Sequence, residues 1–203
     1  MASNPKSQKE TSVKLYLGVV GEKRAGKDTF CDIFRHLAES ERFIVSVHSY
    51  SDIIGKCLDT LCLSRSRENM QKFSPAIEKY FGAGTLSRTM TERVLLTDAD
   101  IVIIQGIRWM TDLEELRWLG GTLVYVTADK EVRFARSRRN SEKPDEMGIS
   151  REKFEEQENA QTELYIPQIA VQADFRFDNN GTEKEFATGV AKFAARYLSG
   201  ETP

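Results

Sequence analysis

The chain has 203 residues, 40% of them hydrophobic, and a formal net charge of −2 at pH 7. This length fits one medium-sized α/β domain, and the nearly balanced charge argues against a broad nucleic-acid-binding face. The three cysteines lack zinc-ligand spacing and no stretch approaches ~20 consecutive apolar residues, so we expect a soluble cytoplasmic protein with neither a nucleic-acid nor a membrane partner.

The first predicted elements are a strand and a helix that flank a glycine-containing loop. Residues 1–12 are polar and predict a disordered tail, which leaves residues 13–203 as one domain. Val13–Val20 is mostly apolar, as is typical of a buried parallel strand. After the loop, apolar residues recur with the spacing of an amphipathic helix: Phe30, Ile33, Phe34 and Leu37.

The loop between these elements follows the phosphate-binding pattern G-x-x-x-x-G-K-[ST], except that Asp28 precedes the hydroxyl of Thr29. Its glycines let the backbone turn tightly and direct N–H groups at an anion, while Lys27 can reach the outer phosphates of ATP. Thr29 and Asp28 can approach a magnesium ion. The flanking strand and helix favour this interpretation over a plain glycine turn with a surface lysine. The predicted ATP-binding residues are Gly21, Glu22, Lys23, Arg24, Ala25, Gly26, Lys27, Asp28 and Thr29.

Further along the chain, apolar runs alternate with helical patterns, which predicts a parallel sheet covered by helices on both faces. The remaining strands are predicted at residues 43–47, 101–104, 123–126 and 175–177. Residues 64–93 are predicted to be helical with a break at Gly82–Gly84, and a last helix is predicted to bury Phe186 and Phe193. The predicted fold class is therefore α/β, with three layers and a parallel five-stranded sheet.

Polar side chains that follow the strands are candidates for binding an acceptor, because ligands of open parallel sheets bind beyond the carboxyl ends of the strands. Asp52 follows the second strand and can accept a proton from a hydroxyl, although it can also simply cap the next helix. Arg108 follows the central strand, and arginine binds phosphate through paired hydrogen bonds. Arg65, Arg67 and Arg88 are further candidates, although Arg65 and Arg67 fit solvated helix charges equally well.

The basic helix predicted at residues 130–139 leads into the polar segment Asn140–Ser150. Arg133 and Arg136 are three residues apart and share one helical face, and Arg136 and Arg139 are the favoured functional candidates. Such a helix and loop are typical of a lid that closes over phosphates and excludes water, here about residues 136–151. A solvated charged face is the alternative interpretation.

Taken together, Gly21–Thr29, Asp52, Gly106-Ile107-Arg108 and the later segment Asp178–Thr182 resemble the P-loop nucleoside monophosphate kinase superfamily. Within it, the likeness is closest to dephospho-CoA kinase and deoxynucleoside monophosphate kinase-like proteins, from about residue 13 to residue 197. The resemblance implies an acceptor-binding helical region at about residues 52–93, Asp52 as the catalytic base, and a loop that packs against the donor adenine at Asn180, Gly181 and Thr182. Gln105 departs from the pattern, because many relatives carry an acidic residue there.

The sequence thus predicts a kinase that uses ATP and Mg²⁺ to phosphorylate a small molecule. Its catalytic residues would be Lys27, Asp52, Arg108, Arg136 and Arg139. The acceptor stays open between dephospho-CoA and a (deoxy)nucleoside monophosphate, and the protein is expected to be a monomer or a small homo-oligomer. A non-catalytic ATP-binding sensor is the alternative that Gln105 favours, whereas the N-K-x-D motif of a GTPase is not present.

Overall fold

Five parallel strands form a single sheet in the computed structural model, which describes residues 14–139 and 148–200. The spatial order of the strands is β2-β3-β1-β4-β5, and every neighbouring pair is parallel. The strands are β1 (Leu15–Val20), β2 (Val45–Ser49), β3 (Ile101–Gln105), β4 (Thr122–Thr127) and β5 (Phe175–Asp178). Since parallel strands need a crossover between them, each connection carries at least one helix.

Nine α-helices are described alongside the sheet within residues 14–139 and 148–200. They are α1 (Lys27–Ser40), α2 (Tyr50–Thr60), α3 (Arg67–Phe81), α4 (Thr85–Leu95), α5 (Met110–Trp118), α6 (Lys130–Arg139), α7 (Arg151–Glu158), α8 (Ile166–Ala170) and α9 (Glu183–Leu198). A short 3-10 turn, Gln161–Glu163, lies between α7 and α8.

The hydrophobic core lies on both faces of the sheet. On one face, α1 and α9 pack against the sheet through an aromatic cluster that includes Phe30, Phe34 and Phe193. On the other face, side chains of α2, α4, α5 and α8 surround apolar residues such as Val102 and Ile104 of β3. Because both faces are covered, the central strands are almost wholly buried, as their continuous apolar sequences predict. The predicted three-layer α/β/α fold is confirmed.

Several boundaries differ from the predicted ones. The second strand is displaced by two residues from the predicted 43–47, to Val45–Ser49. The long helical stretch is divided at the predicted break, where Gly84 (φ +77°) precedes α4. Helices α5 and α8 have no counterpart among the predicted elements, because they are short and few of their residues show a helical apolar spacing. The predicted tail, residues 1–12, and residues 140–147 of the predicted lid lie outside the described residues.

Within residues 14–139 and 148–200, none of the helices has the length and the apolar sequence that crossing a membrane requires.

Candidate functional site

The loop between β1 and α1 forms a tight cradle that only glycine allows at two positions. Gly21 has φ +155°, and a Cβ atom there would lie 2.0 Å from the carbonyl oxygen of Val126. Gly26 has φ +106°, and its Cβ would lie 2.2 Å from Nδ2 of Asn179. Gly26 is the N-cap of α1, so the positive end of that helix dipole faces the loop. The geometry is that of an anion-binding site.

Lys27 supplies the positive charge of this cradle. Its Nζ donates a hydrogen bond to the carbonyl oxygen of Glu22 at 2.8 Å. Burial, together with the nearby guanidinium groups of Arg108 and Arg67, lowers the pKa of Lys27 to about 8, while the carboxylates of Glu163 and Asp28 partly oppose this shift. A desolvated ammonium beside two arginines gains free energy from a bound anion, so the charge distribution fits the phosphates of ATP.

Oxygen donors for a metal ion follow Lys27 in the first turn of α1. The side chains of Asp28 and Thr29 are both exposed, as access to an ion at the mouth of the loop requires. Carboxylate and hydroxyl oxygens are hard ligands of the type that Mg²⁺ prefers. The residues present therefore fit a magnesium ion that is shared with bound phosphates.

The loop is fixed from behind by side chains of other elements. Tyr125 of β4 donates a hydrogen bond to the carboxylate of Glu22, and its hydroxyl oxygen also lies 3.0 Å from Oγ1 of Thr127. Lys23 is buried, and its ammonium donates a hydrogen bond to the side chain of Gln157 on α7. Asn179 donates from Nδ2 to the carbonyl oxygen of Ala25 at 2.9 Å. Side chains from β4, from α7 and from the residue that follows β5 therefore fix the conformation of the loop.

A cavity of about 60 Å³ adjoins the cradle, between α2, α3, the start of α5 and the 3-10 turn. Its volume equals the space of a few water molecules. Its lining is apolar in part, from Ile54, Met70 and Leu86, but its polar groups converge from four different elements. Those that matter for binding are Arg67, Gln71, Arg108, Trp109, Asp112 and Glu163.

Arg108 links the cavity to the cradle. Its Nη1 donates to the carbonyl oxygen of Gly21 at 3.0 Å and lies 3.4 Å from Oε2 of Glu163. The backbone around it is held by Asp112, which accepts the N–H groups of Arg108 and Trp109 at 2.8 and 2.9 Å. Asp112 also accepts from Ser87 at 2.6 Å, and burial raises the pKa of its carboxyl group. The segment after β3 is thus a rigid support for Arg108.

The structure brings several other predicted residues to the rim of the cradle. Arg136 donates to the carbonyl oxygens of Asn179 at 2.8 Å and Arg24 at 3.4 Å, which places it along the loop. Asn180 exchanges hydrogen bonds with Asp129: it accepts the backbone N–H at 2.7 Å and donates to the carboxylate at 3.0 Å. Gly181 follows it at the surface. These residues form the far wall of the cradle.

The remaining residues of this group contribute less to the site. Thr182 caps α9 by accepting the N–H of Glu185. Arg139, the last residue of α6, is exposed and lies next to residues outside the described part of the chain.

Three predicted residues lie away from the cavity. Asp52 is exposed and is not part of the cavity lining, although Ser51 and Ile54 of the same helix are, because Asp52 points to another side of α2. Arg65 is paired with Asp59, with Nε donating to Oδ1 at 3.0 Å. Arg88 donates to the carbonyl oxygen of Ala83 at 3.0 Å and is exposed. Neither arginine lines the cavity.

The cavity also contains functional groups that the sequence analysis did not select. Arg67 lines it, although its sequence context does not distinguish it from a solvated helix charge. Glu163 and Trp109 line it as well. Trp109 follows Arg108 directly and could have been selected by that position, whereas Glu163 lies after an acidic helix and its sequence carries no distinguishing signal.

No protein-family model matches this sequence. The chain is 22% identical over 190 residues to a UPF0200 protein of Saccharolobus solfataricus. The matched region covers 92% of this chain and 95% of that relative.

Two solved structures share the fold across nearly the whole chain. Shikimate kinase from Bacteroides thetaiotaomicron has a TM-score of 0.58 at 15% identity, and dephospho-CoA kinase from Campylobacter jejuni has a TM-score of 0.53 at 18% identity. In both cases, the likeness covers 91% of this chain and 98% of the other. Likeness at this level of identity shows the fold, and it is the predicted one.

Proposed function

We propose that this chain, which has the fold of the P-loop small-molecule kinases, transfers a phosphoryl group from ATP to a small nucleotide-like metabolite. The observation that carries the proposal is the glycine cradle at the start of α1, closed around an ammonium whose pKa is lowered to about 8. The backbone N–H groups at the start of α1 and the ammonium beside them together form a site for an anionic ligand. The adjoining cavity gives the second substrate a place next to the phosphates.

On the donor side, the backbone N–H groups of Gly21–Thr29 and the ammonium of Lys27 would hold the β- and γ-phosphates. Thr29 and Asp28 would hold Mg²⁺, which would supply positive charge to neutralise the phosphates. Arg136 and Arg139 would stabilise the charge that develops on the transferred group. The segment Asn180–Thr182 would pack against the adenine base.

On the acceptor side, Arg67 and Arg108 would bind an anionic group of the substrate, since both line the cavity and both act electrostatically on Lys27. The aromatic face of Trp109 can support a planar or apolar part of the molecule. Arg65 and Arg88 are further candidates for substrate binding, and each would exchange an existing hydrogen bond for one to the substrate. Asp52 is the candidate that the resemblance provides for orienting the attacking hydroxyl.

The cavity is partly open to solvent, so a larger acceptor can extend beyond it, and the cavity volume alone does not distinguish small acceptors from nucleotide-sized ones. We therefore keep both predicted acceptor classes and add shikimate, the acceptor of one structural neighbour, to the test.

The decisive experiment is a screen for ADP release from Mg-ATP with nucleoside monophosphates, deoxynucleoside monophosphates, dephospho-CoA and shikimate. We expect turnover with one acceptor class and a loss of about 100-fold or more in the Lys27→Ala variant. Lys184→Ala, which removes an exposed lysine of α9, is the matched control and should retain full activity. Equal turnover by Lys27→Ala and the parent chain would contradict the proposal.

The second candidate function is an ATP-binding sensor without turnover, and the observation that favours it is Gln105. This residue ends β3 beside the cradle, where its side chain contacts the thiol of Cys31. An amide neither accepts a proton nor binds magnesium as a carboxylate does. Tight binding of Mg-ATP with no ADP release across the whole panel would support the sensor.

A further inference from the structure

We propose that Glu163 is the catalytic carboxylate that orients the acceptor hydroxyl and receives its proton, an inference that rests on the proposed kinase activity. Glu163 ends the 3-10 turn between α7 and α8, on the segment that follows the predicted lid. Neither the sequence pattern nor the resemblance selects this residue.

The first support is its position. Glu163 lines the cavity, yet its side chain is only 6% exposed. Its Oε2 accepts no hydrogen bond from any residue in the described part of the chain, and it lies 3.4 Å from Nη1 of Arg108. Burying a carboxylate oxygen without a hydrogen-bond donor is costly, so such an oxygen is rare unless a ligand supplies the donor. An acceptor hydroxyl in the cavity would be that donor.

The second support is its distance from the phosphates. Nη1 of Arg108 lies 3.4 Å from Oε2 of Glu163 and donates to the carbonyl oxygen of Gly21 in the cradle at 3.0 Å. One guanidinium group therefore connects Glu163 to the loop that would hold the phosphates, so Glu163 is close to the point of transfer. Asp52, the carboxylate that the resemblance suggests, is exposed and outside the cavity lining.

The third support is that Glu163 is held in place by its surroundings. Its own N–H donates to the carbonyl oxygen of Ala160 at 2.8 Å, and the preceding Thr162 is buried. The turn is followed by α8, whose Ile166 lies in the core. It is preceded by α7, where Gln157 accepts hydrogen bonds from Lys23 of the cradle and from Gln71 of α3. A carboxylate fixed in this way is pre-organised for its substrate.

The step that follows is a balanced phosphoryl transfer. The acceptor oxygen forms a bond to the γ-phosphorus of ATP, the bond between that phosphorus and the β,γ-bridging oxygen breaks, and ADP leaves with the electron pair. The acceptor proton passes to the carboxylate of Glu163, which later releases it to water. Because the transition state of such transfers is loose, the carboxylate mainly fixes the direction of the hydroxyl and takes the proton late.

The test compares Glu163→Gln, Glu163→Asp and Asp52→Asn with the parent chain, and Glu131→Gln, an exposed glutamate of α6, serves as the control. The kcat for ADP release is measured between pH 5 and 9 with the acceptor that the screen identifies, or with water as acceptor if none is found. Binding of Mg-AMP-PNP is measured by calorimetry. We expect Glu163→Gln to lower kcat by about 100-fold or more at every pH tested, with KM for Mg-ATP unchanged. Nucleotide binding should change by less than about twofold.

The other variants separate the alternatives. Asp52→Asn should lower kcat by less than about fivefold, and Glu163→Asp, which keeps the charge beside Arg108, should lose about tenfold in kcat. If Glu163→Gln does not fold, Glu163→Asp carries the test through its separate effects on kcat and KM.

Three outcomes would overturn the role of Glu163 alone: an unchanged kcat in Glu163→Gln, a larger loss in Asp52→Asn, or a changed Mg²⁺ requirement as the sole effect. A parent chain that binds no Mg-ATP, or that turns over neither acceptor nor water, would instead refute the proposed function and this inference with it.

Discussion

The lowered pKa of Lys27 predicts that Mg-ATP binding weakens as the pH rises through 8. Burial, aided by Arg108 and Arg67, lowers this pKa from 10.5 to about 8 in the nucleotide-free protein. A bound triphosphate favours the charged ammonium and returns its pKa toward the ordinary value. Binding therefore takes up a proton wherever the free lysine is neutral, and the affinity must fall with increasing pH.

The size of the effect follows from the protonated fraction of Lys27. With a pKa of about 8, that fraction is roughly nine-tenths at pH 7 and one-tenth at pH 9, so the dissociation constant should rise about tenfold, or ~1.4 kcal/mol. The same shift affects folding. Between pH 8 and 10.5 the unfolded chain binds more protons than the folded chain, so the stability of the nucleotide-free protein should rise with pH in that window. The full destabilisation, roughly 3 kcal/mol, is present below pH 8.

Calorimetry with Mg-AMP-PNP at pH 7, 8 and 9, in buffers of different ionisation enthalpy, measures both the affinity and the proton uptake. We expect uptake of about half a proton at pH 8 and nearly one at pH 9. Lys27→Met is the control, since it removes the titrating group and should abolish the uptake. A dissociation constant that stays the same from pH 7 to 9, with no proton uptake, would refute the assignment of Lys27 as a desolvated phosphate ligand.

Three further substitutions test the cradle, the cavity and its support. Gly26→Ala should lower the free energy of unfolding by about 2 kcal/mol or more in denaturant titrations, because φ +106° strains alanine and its Cβ would displace Asn179; a stable variant would contradict this. Arg67→Gln should raise the KM of the acceptor about tenfold, because Arg67 lines the cavity, while Arg196→Gln, at an exposed position of α9, should leave it unchanged; equal effects would argue against that site. Asp112→Ala should cost roughly 3 kcal/mol of stability by the same titration, because three buried donors lose their acceptor, and a loss below 1 kcal/mol would count against this role.

The cradle could be predicted from the sequence because its signals are local. Gly21, Gly26 and Lys27 lie within seven residues, between a strand and a helix that each show a clear apolar pattern. The parallel sheet could be predicted for a similar reason, since Ile101–Ile104 and Leu123–Val126 are continuous apolar runs of the kind that sheets buried on both faces require.

The acceptor side could not be predicted in the same way, because its residues meet only through tertiary contacts. Arg65 and Arg67 lie two residues apart, yet Arg65 precedes α3 and pairs with Asp59, whereas Arg67 begins α3 and lines the cavity. The sequence gives no basis for distinguishing them, since the pairing with Asp59 depends on the angle between α2 and α3. Glu163 is a stronger example, because the turn that carries it is placed by α7 and α8 and not by any motif.

The glutamine at the end of β3 need not mean that the site lacks a carboxylate. Gln105 contacts the thiol of Cys31, and burial raises the pKa of that thiol to about 12, so this contact joins two neutral groups beneath α1. A charged side chain at position 105 would face a buried, neutral partner there at a cost in desolvation. Glu163 reaches the cavity from the opposite side and is balanced by Arg108 at 3.4 Å. In the proposed mechanism, the catalytic carboxylate therefore comes from the 3-10 turn between α7 and α8, and position 105 can stay neutral.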